Sequence, residues 1–154
     1  MSCILTIGSR DFDIDDFVDK SGLKPYRKSR KGQPRFKTRP DGEKLVHSSI
    51  SIEASKADFD NLEKQIADTI RFLKTDKNKL SYIGSTDGIE YAVLDFGINL
   101  RIDREKVLLQ SDTFPNELLK VAGDLGLDIE LSIYPTDMQM VLEKRPSKMK
   151  IKSG

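Results

Sequence analysis

FPNELLKVAGDLGLDIELSIY, residues 114–134, reads as a short amphipathic helix, a glycine stop and a strand whose apolar residues alternate. The helix is expected to start around Thr113 to Pro115, where a hydroxyl can accept from orphan amides and proline's fixed φ suits a first turn. Leu118, Leu119, Ala122 and Leu125 recur at helical spacing, and Gly126 stands where a left-handed residue ends a helix cheaply. Beyond it Ile129, Leu131 and Ile133 point one way while Asp128, Glu130 and Ser132 point the other. That period of two marks a strand buried on one face only, which fits an antiparallel or mixed sheet and disfavours a doubly wound parallel one.

The rest of the chain supplies neighbours for this unit. Cys3 to Ile7 is a short apolar run rich in β-branched residues, read as a first strand and expected to lie beside the Ile129 strand. Asp13 can cap a helix that turns Ile14, Phe17 and Val18 inward and ends at Gly22. Ile50 and Ile52 alternate with serines and Glu53, which predicts a strand after His47. Ser55 to Asp58 has the form of a capping box, and Phe59, Leu62, Ile66, Ile70 and Leu73 then lie along one helical stripe.

Leu80 to Ile83 reads as a short strand, and Ile89 to Phe96 as another that a bulge interrupts at Gly97. Alternation from Ile98 to Ile102, returning at Val107 to Leu109, predicts a second hairpin, and Met138, Met140 and Leu142 suggest an edge strand. The expected fold class is α+β: a two-layer sandwich with a largely antiparallel twisted sheet of about five to seven strands and two to three helices on one face. A single domain would cover residues 1–145, with a basic hairpin or loop at 24–45 and a basic flexible tail at 146–154.

A chain of 154 residues can bury a core large enough to stand without metal or disulfides. Its one cysteine, Cys3, cannot form an internal disulfide and reads as a buried thiol in a reducing compartment. The opening MSCILTIGSRD lacks a basic leader region, and no apolar run is long enough to span a bilayer. The expectation is a cytoplasmic protein with no membrane partner.

Net charge is only +1, but the charge is segregated. Residues 24–39, KPYRKSRKGQPRFKTR, hold eight basic residues and no acidic one, whereas residues 40–140 hold nineteen acidic and eleven basic. This basic segment has no apolar periodicity, so it cannot be core. The P-D-G at 40–42 is a turn signature, which predicts a hairpin whose outgoing arm carries Arg35, Lys37 and Arg39 on one face and Phe36 and Thr38 on the other. The candidate binding residues are Lys24, Tyr26, Arg27, Lys28, Arg30, Lys31, Arg35, Phe36, Lys37 and Arg39, cations interleaved with aromatic side chains as in arms that contact phosphates and stack on bases. The competing interpretation is a solvated loop that rests on the acidic remainder of the fold.

Motifs for catalysis are missing. His47 is the only histidine, so zinc would need carboxylate ligands beside a single imidazole, and neither metal nor cofactor is expected. Ser48 and Ser49 beside it lack an orienting carboxylate and an oxyanion site in the local sequence. Asp11, Asp13 and Asp15 suggest a calcium loop, but counting from Asp11 the sixth and twelfth positions are Asp16 and Gly22, not the glycine and glutamate that such a loop needs. The D-F-G at 95–97 is strand punctuation without the other kinase elements, and no phosphate-cradling G-x-x-x-x-G-K or G-x-G-x-x-G occurs.

FDIDDFVDKSGLKPYRKSRKGQPR, the Phe59 to Leu73 helix and the closing LLKVAGDLGLDIELSIYP together resemble a bacterial family of small stand-alone domains of unknown function. The likeness runs from about Ile4 to Pro135, anchored by K-G-Q-P at 31–34 and by L-G-L-D-I-E-L-S-I-Y ending at Tyr134. The resemblance implies the fold and a bacterial, intracellular setting, immunity-like in size, but no catalytic residues. The function expected is therefore a non-enzymatic binding protein that holds a protein partner through the basic hairpin and the sheet face, in a toxin-neutralising or regulatory role. The alternative is a nucleic-acid-binding module acting through residues 24–39.

Overall fold

In the computed structural model, which describes residues 2–102 and 108–135, the alternating residues Cys3, Leu5 and Ile7 are fully buried. They belong to strand β1 (Cys3–Ser9), the central strand of an open five-stranded sheet. β2 (Arg27–Ser29), β3 (Ser48–Ser55), β4 (Tyr91–Asn99) and β5 (Asp128–Tyr134) complete it, in the order β2-β3-β1-β4-β5. β1 is antiparallel to both β3 and β4, β2 is antiparallel to β3, and β5 alone runs parallel to its neighbour, β4. The α+β class expected from the sequence is the one observed.

Helices α1 (Ile14–Ser21), α2 (Leu62–Thr75) and α5 (Asn116–Asp124) are joined by two single turns, α3 (Lys77–Leu80) and α4 (Tyr82–Ser85). Ile14 and Phe17 of α1, Ile66 and Leu73 of α2, and Leu118 and Ala122 of α5 share one apolar cluster with the inward residues of β1, β3 and β4. Each long helix obeys local rules. Asp13 caps α1 by accepting from the amides of Asp15 and Asp16, and Gly22 closes it with φ of 67°.

Several expectations need correction. The Ile129 strand, β5, lies beside β4 and not beside β1, because β1 already spends both edges on β3 and β4. α2 begins at Leu62 with Asn61 as its cap, accepting from the Lys64 amide at 3.0 Å, rather than at Ser55. The Ser55 hydroxyl instead accepts from Ala57 and donates to Asp68, so the box is never closed. Phe59, freed from the helix, covers the open face of the sheet and meets Tyr134 edge to face at 5.4 Å.

β4 runs unbroken through Gly97; the glycine makes room for Phe59 and is no bulge. Leu80 and Ile83 belong to the helical turns α3 and α4 and not to a strand. Among the described residues Leu100–Ile102, Leu108 and Leu109 lie in coil with no strand pairing, Arg101 meets the side chain of Gln110, and Val107 and the expected turn lie outside the described residues. α5 gains no hydroxyl cap from Thr113, since Pro115 occupies the cap position. The proposed edge strand at Met138 and the basic tail lie outside the described residues.

Buried Gln65 fastens α2 to the sheet, its side-chain amide donating to the carbonyls of Gly97 at 2.8 Å and Asp58 at 3.1 Å. A Cβ placed on Gly97 would stand 2.6 Å from Phe59 Cε1. Gly97→Ala is expected to destabilise the protein by about 1–3 kcal/mol, the usual range for overpacking. Combining it with Phe59→Leu should recover part of that loss in urea unfolding, and two simply additive losses would show that the ring is not seated there. Burial, the dominant cause, pushes the Cys3 thiol up from 9.0 to about 12. Native protein at pH 8 should therefore react with a thiol reagent only as fast as it unfolds, and immediate labelling would place Cys3 at the surface.

Candidate functional site

The basic segment leaves the core because its charges cannot be buried without partners, and it is held at one end of the sheet. Leu23 is buried, the Tyr26 amide donates to the Ser51 carbonyl at 3.0 Å, and Arg27, Lys28 and Ser29 pair with Ser51, Ile50 and Ser49 of β3. The chain then turns. The Arg30 amide donates to Gln33 Oε1 at 3.1 Å, the Gln33 amide donates back to the Arg30 carbonyl at 3.1 Å, and Gly32 sits at φ of 83°.

A short ladder follows. Leu45 donates to Gln33 and Arg35 donates to Glu43, each at 2.8 Å, with Pro34 opposite Lys44. These bonds flank the P-D-G turn signature, but the single bridge between Pro34 and Lys44 forms no strand pair, and the extended stretch ends at Arg35. Beyond it Arg39 donates to the Phe36 carbonyl and Gly42 to that of Arg39, so two successive turns replace the alternating face expected to carry Lys37 and Arg39.

Between β2 and the segment 33–45 lies a groove of about 850 Å³, within the range of about 300–1,000 Å³ typical of ligand sites. Tyr26 to Ser29 form one wall and Gln33 to Thr38, with Leu45, the other. Six of the sequence-derived candidates, Tyr26, Arg27, Lys28, Arg35, Phe36 and Lys37, are brought together here, whereas Lys24, Arg30, Lys31 and Arg39 are not. Tyr26 and Phe36 are 48% and 58% exposed, large apolar surfaces that a lone loop has no folding reason to present.

Half of the segment's cations are already engaged. Asp15 on α1 accepts from Lys28 Nζ at 3.0 Å and from Arg30 Nη2 at 2.8 Å, Lys31 reaches Asp11 at 3.4 Å, and Arg35 meets Glu43 at 3.2 Å. Lys24, Arg27, Lys37 and Arg39 are exposed and form no ion pair among the described residues. The Arg35 guanidinium stands 6.0 Å from the centre of the Phe36 ring, at the limit of cation–π contact.

Asp11, Asp15, Gln33 and Leu45 were not singled out as site residues. The aspartates read as capping and dipole groups; Asp13 alone caps, and Asp15 tethers the basic segment from 13 and 15 residues away. His47 Nε2 lies 3.6 Å from Glu90 and its ring meets Tyr91 edge-on at 6.2 Å, a surface arrangement. The buried Ser48 accepts from the Lys31 amide at 3.1 Å, anchoring the turn. Among the described residues no three His, Cys, Asp or Glu side chains gather as metal ligands would.

These features define an α+β domain with a mostly antiparallel sheet and a cationic, aromatic-lined groove at the β2 end. The chain belongs to the family described as Domain of unknown function (DUF4279), whose model matches residues 1–136 and so spans both the fold and the groove. No curated protein and no solved structure matches the chain.

Hydrogen bonds from Arg30 first and Lys28 second hold the Asp15 carboxyl below its ordinary 3.8. A depressed folded-state value means that the tether is complete above 3.8 and is lost as pH falls through the lower, folded value. A carbon-detected titration should give Asp15 a midpoint below 3.8, and Arg30→Gln should raise it. A midpoint that Arg30→Gln leaves unmoved would contradict the tether.

Proposed function

We propose that this protein is a non-enzymatic binding module that holds a partner protein through the basic hairpin, the adjoining groove and the exposed face of the sheet, in a toxin-neutralising or regulatory role. The observation that carries it is the groove itself: exposed Tyr26 and Phe36 stand beside Arg27 and Lys37, cations without an ion-pair partner among the described residues. Aromatic and arginine side chains at a recess are the usual anchors of protein interfaces. A bacterial, cytoplasmic setting is part of this proposal. A single buried thiol suits a reducing compartment, and no helix among the described residues is long and apolar enough to cross a membrane.

The same interleaving of Tyr26 and Phe36 with cations supports a second role, binding single-stranded nucleic acid by stacking and phosphate contact. Electrostatics favour the first. Among the described residues Asp11, Asp15 and Glu43, three carboxylates, already engage four of the eight cations of the segment, which leaves only half of them free for a polyanion.

Replacing Phe36 by a photo-crosslinking phenylalanine analogue in the full chain separates the two roles. A protein-binding module should yield a discrete polypeptide adduct that Arg27→Glu with Lys37→Glu abolishes, and should not bind oligo-dT at low salt. Oligo-dT binding with a log–log salt slope approaching about −3, the value for four phosphate contacts on a single strand, would instead support the nucleic-acid role.

A further inference from the structure

β2 ends the sheet. It is three residues long, it pairs with β3 on one side, and no described strand pairs with its other side. The residues along that free side, Tyr26 to Ser29, are the wall of the groove. A terminal strand presents backbone donors and acceptors in a row, and a recess alongside them has the shape that an extended chain fills.

We infer that the groove receives an acidic, extended segment of the partner protein, which adds to the sheet as a strand beside β2. This inference rests on the protein-binding role proposed above and gives it a mode and a chemistry. The charge of the occupant follows from the walls: Arg27 and Lys37 lack carboxylate partners among the described residues, and Arg35 shares only the exposed Glu43. Arg27 and Ser29 alternate along the strand with Lys28, which Asp15 holds. Carboxylates at every second position of an added strand would therefore share the face of Arg27, as cross-strand pairs of opposite charge do.

Short, cationic edges usually prevent strand pairing, and here they do so selectively. They repel a basic strand, including the β2 of another copy, and give a neutral one no charge partner, while attracting an acidic one. The opposite end of the sheet lacks this property. β5 exposes Asp128 and Glu130 and would repel the same segment.

The probe is a fluorescent peptide alternating glutamate with valine, compared with an analogue N-methylated at alternate backbone positions, a lysine-for-glutamate analogue and oligo-dT. The acidic peptide should bind the full chain by anisotropy and shift the amide resonances of residues 26–29. Backbone methylation should weaken it about tenfold or more, Arg27→Glu by a similar factor, and the lysine analogue should not bind.

Undiminished binding of the methylated peptide would overturn strand addition while leaving the protein-binding role in place. No binding of the acidic peptide at low salt would overturn the occupant's charge and leave the Phe36 crosslink to decide the broader role. Preference for oligo-dT would overturn both. Arg27 is exposed and pairs only through its backbone, so Arg27→Glu should keep the wild-type amide spectrum elsewhere and remain an interpretable variant.

Discussion

Burial of Cys3, Leu5 and Ile7 between β3 and β4 is the constraint on which the molecule depends. A central strand with both edges paired and one face covered fixes the register of its neighbours, because a slip of one residue would turn every apolar side chain to the wet side. Gly8 enforces the same register from the open face. A Cβ there would stand 2.6 Å from the Ser48 carbonyl oxygen, backbone that cannot retreat without disturbing β3. Residues of α1, α2 and α5 join the same apolar cluster, and their capping residues and glycine stops are local matters once the sheet exists.

The basic segment is what this core excludes. Eight cations without apolar periodicity cannot enter it, so the chain leaves the sheet after Ser29 and returns at Ser48. Two kinds of tether keep the excursion close: backbone bonds within the Gln33 to Leu45 ladder, and carboxylates of the α1 region that reach Lys28, Arg30 and Lys31. Exposed ion pairs of this kind are each worth little, about 0–1 kcal/mol. Their effect is to aim the segment, and the cations they leave unpaired give the groove its sign.

Much of the fold was legible. Period two in Ile50 to Ile52, Asp13 as a cap and Gly22 and Gly126 as stops all act over a few residues and appear where the sequence places them, and so does the β5 strand, although its alternation holds only through Ile129 and Leu131 and Ile133 is exposed. What failed depended on distant partners. The Ser55 box is undone by Asp68, Phe59 is drawn off its helix toward Gly97, and the four apolar or polar residues from Leu80 to Ile83 are too few for periodicity to tell a strand from helical turns. At the groove the composition was visible and the pairing was not. Asp11 and Asp15 lie 20 and 15 residues from Lys31 and Arg30, and nothing local announces that they meet.

The central claim is that residues 33–45 form an ordered wall facing β2 and not a solvated loop. Amide hydrogen exchange of Gly32, Arg35 and Leu45, whose donors bond to Leu45, Glu43 and Gln33, tests it most directly. Protection well above that of a free peptide of residues 24–46 is the result this structure requires. Exchange at the free-peptide rate would remove the groove, and with it the site.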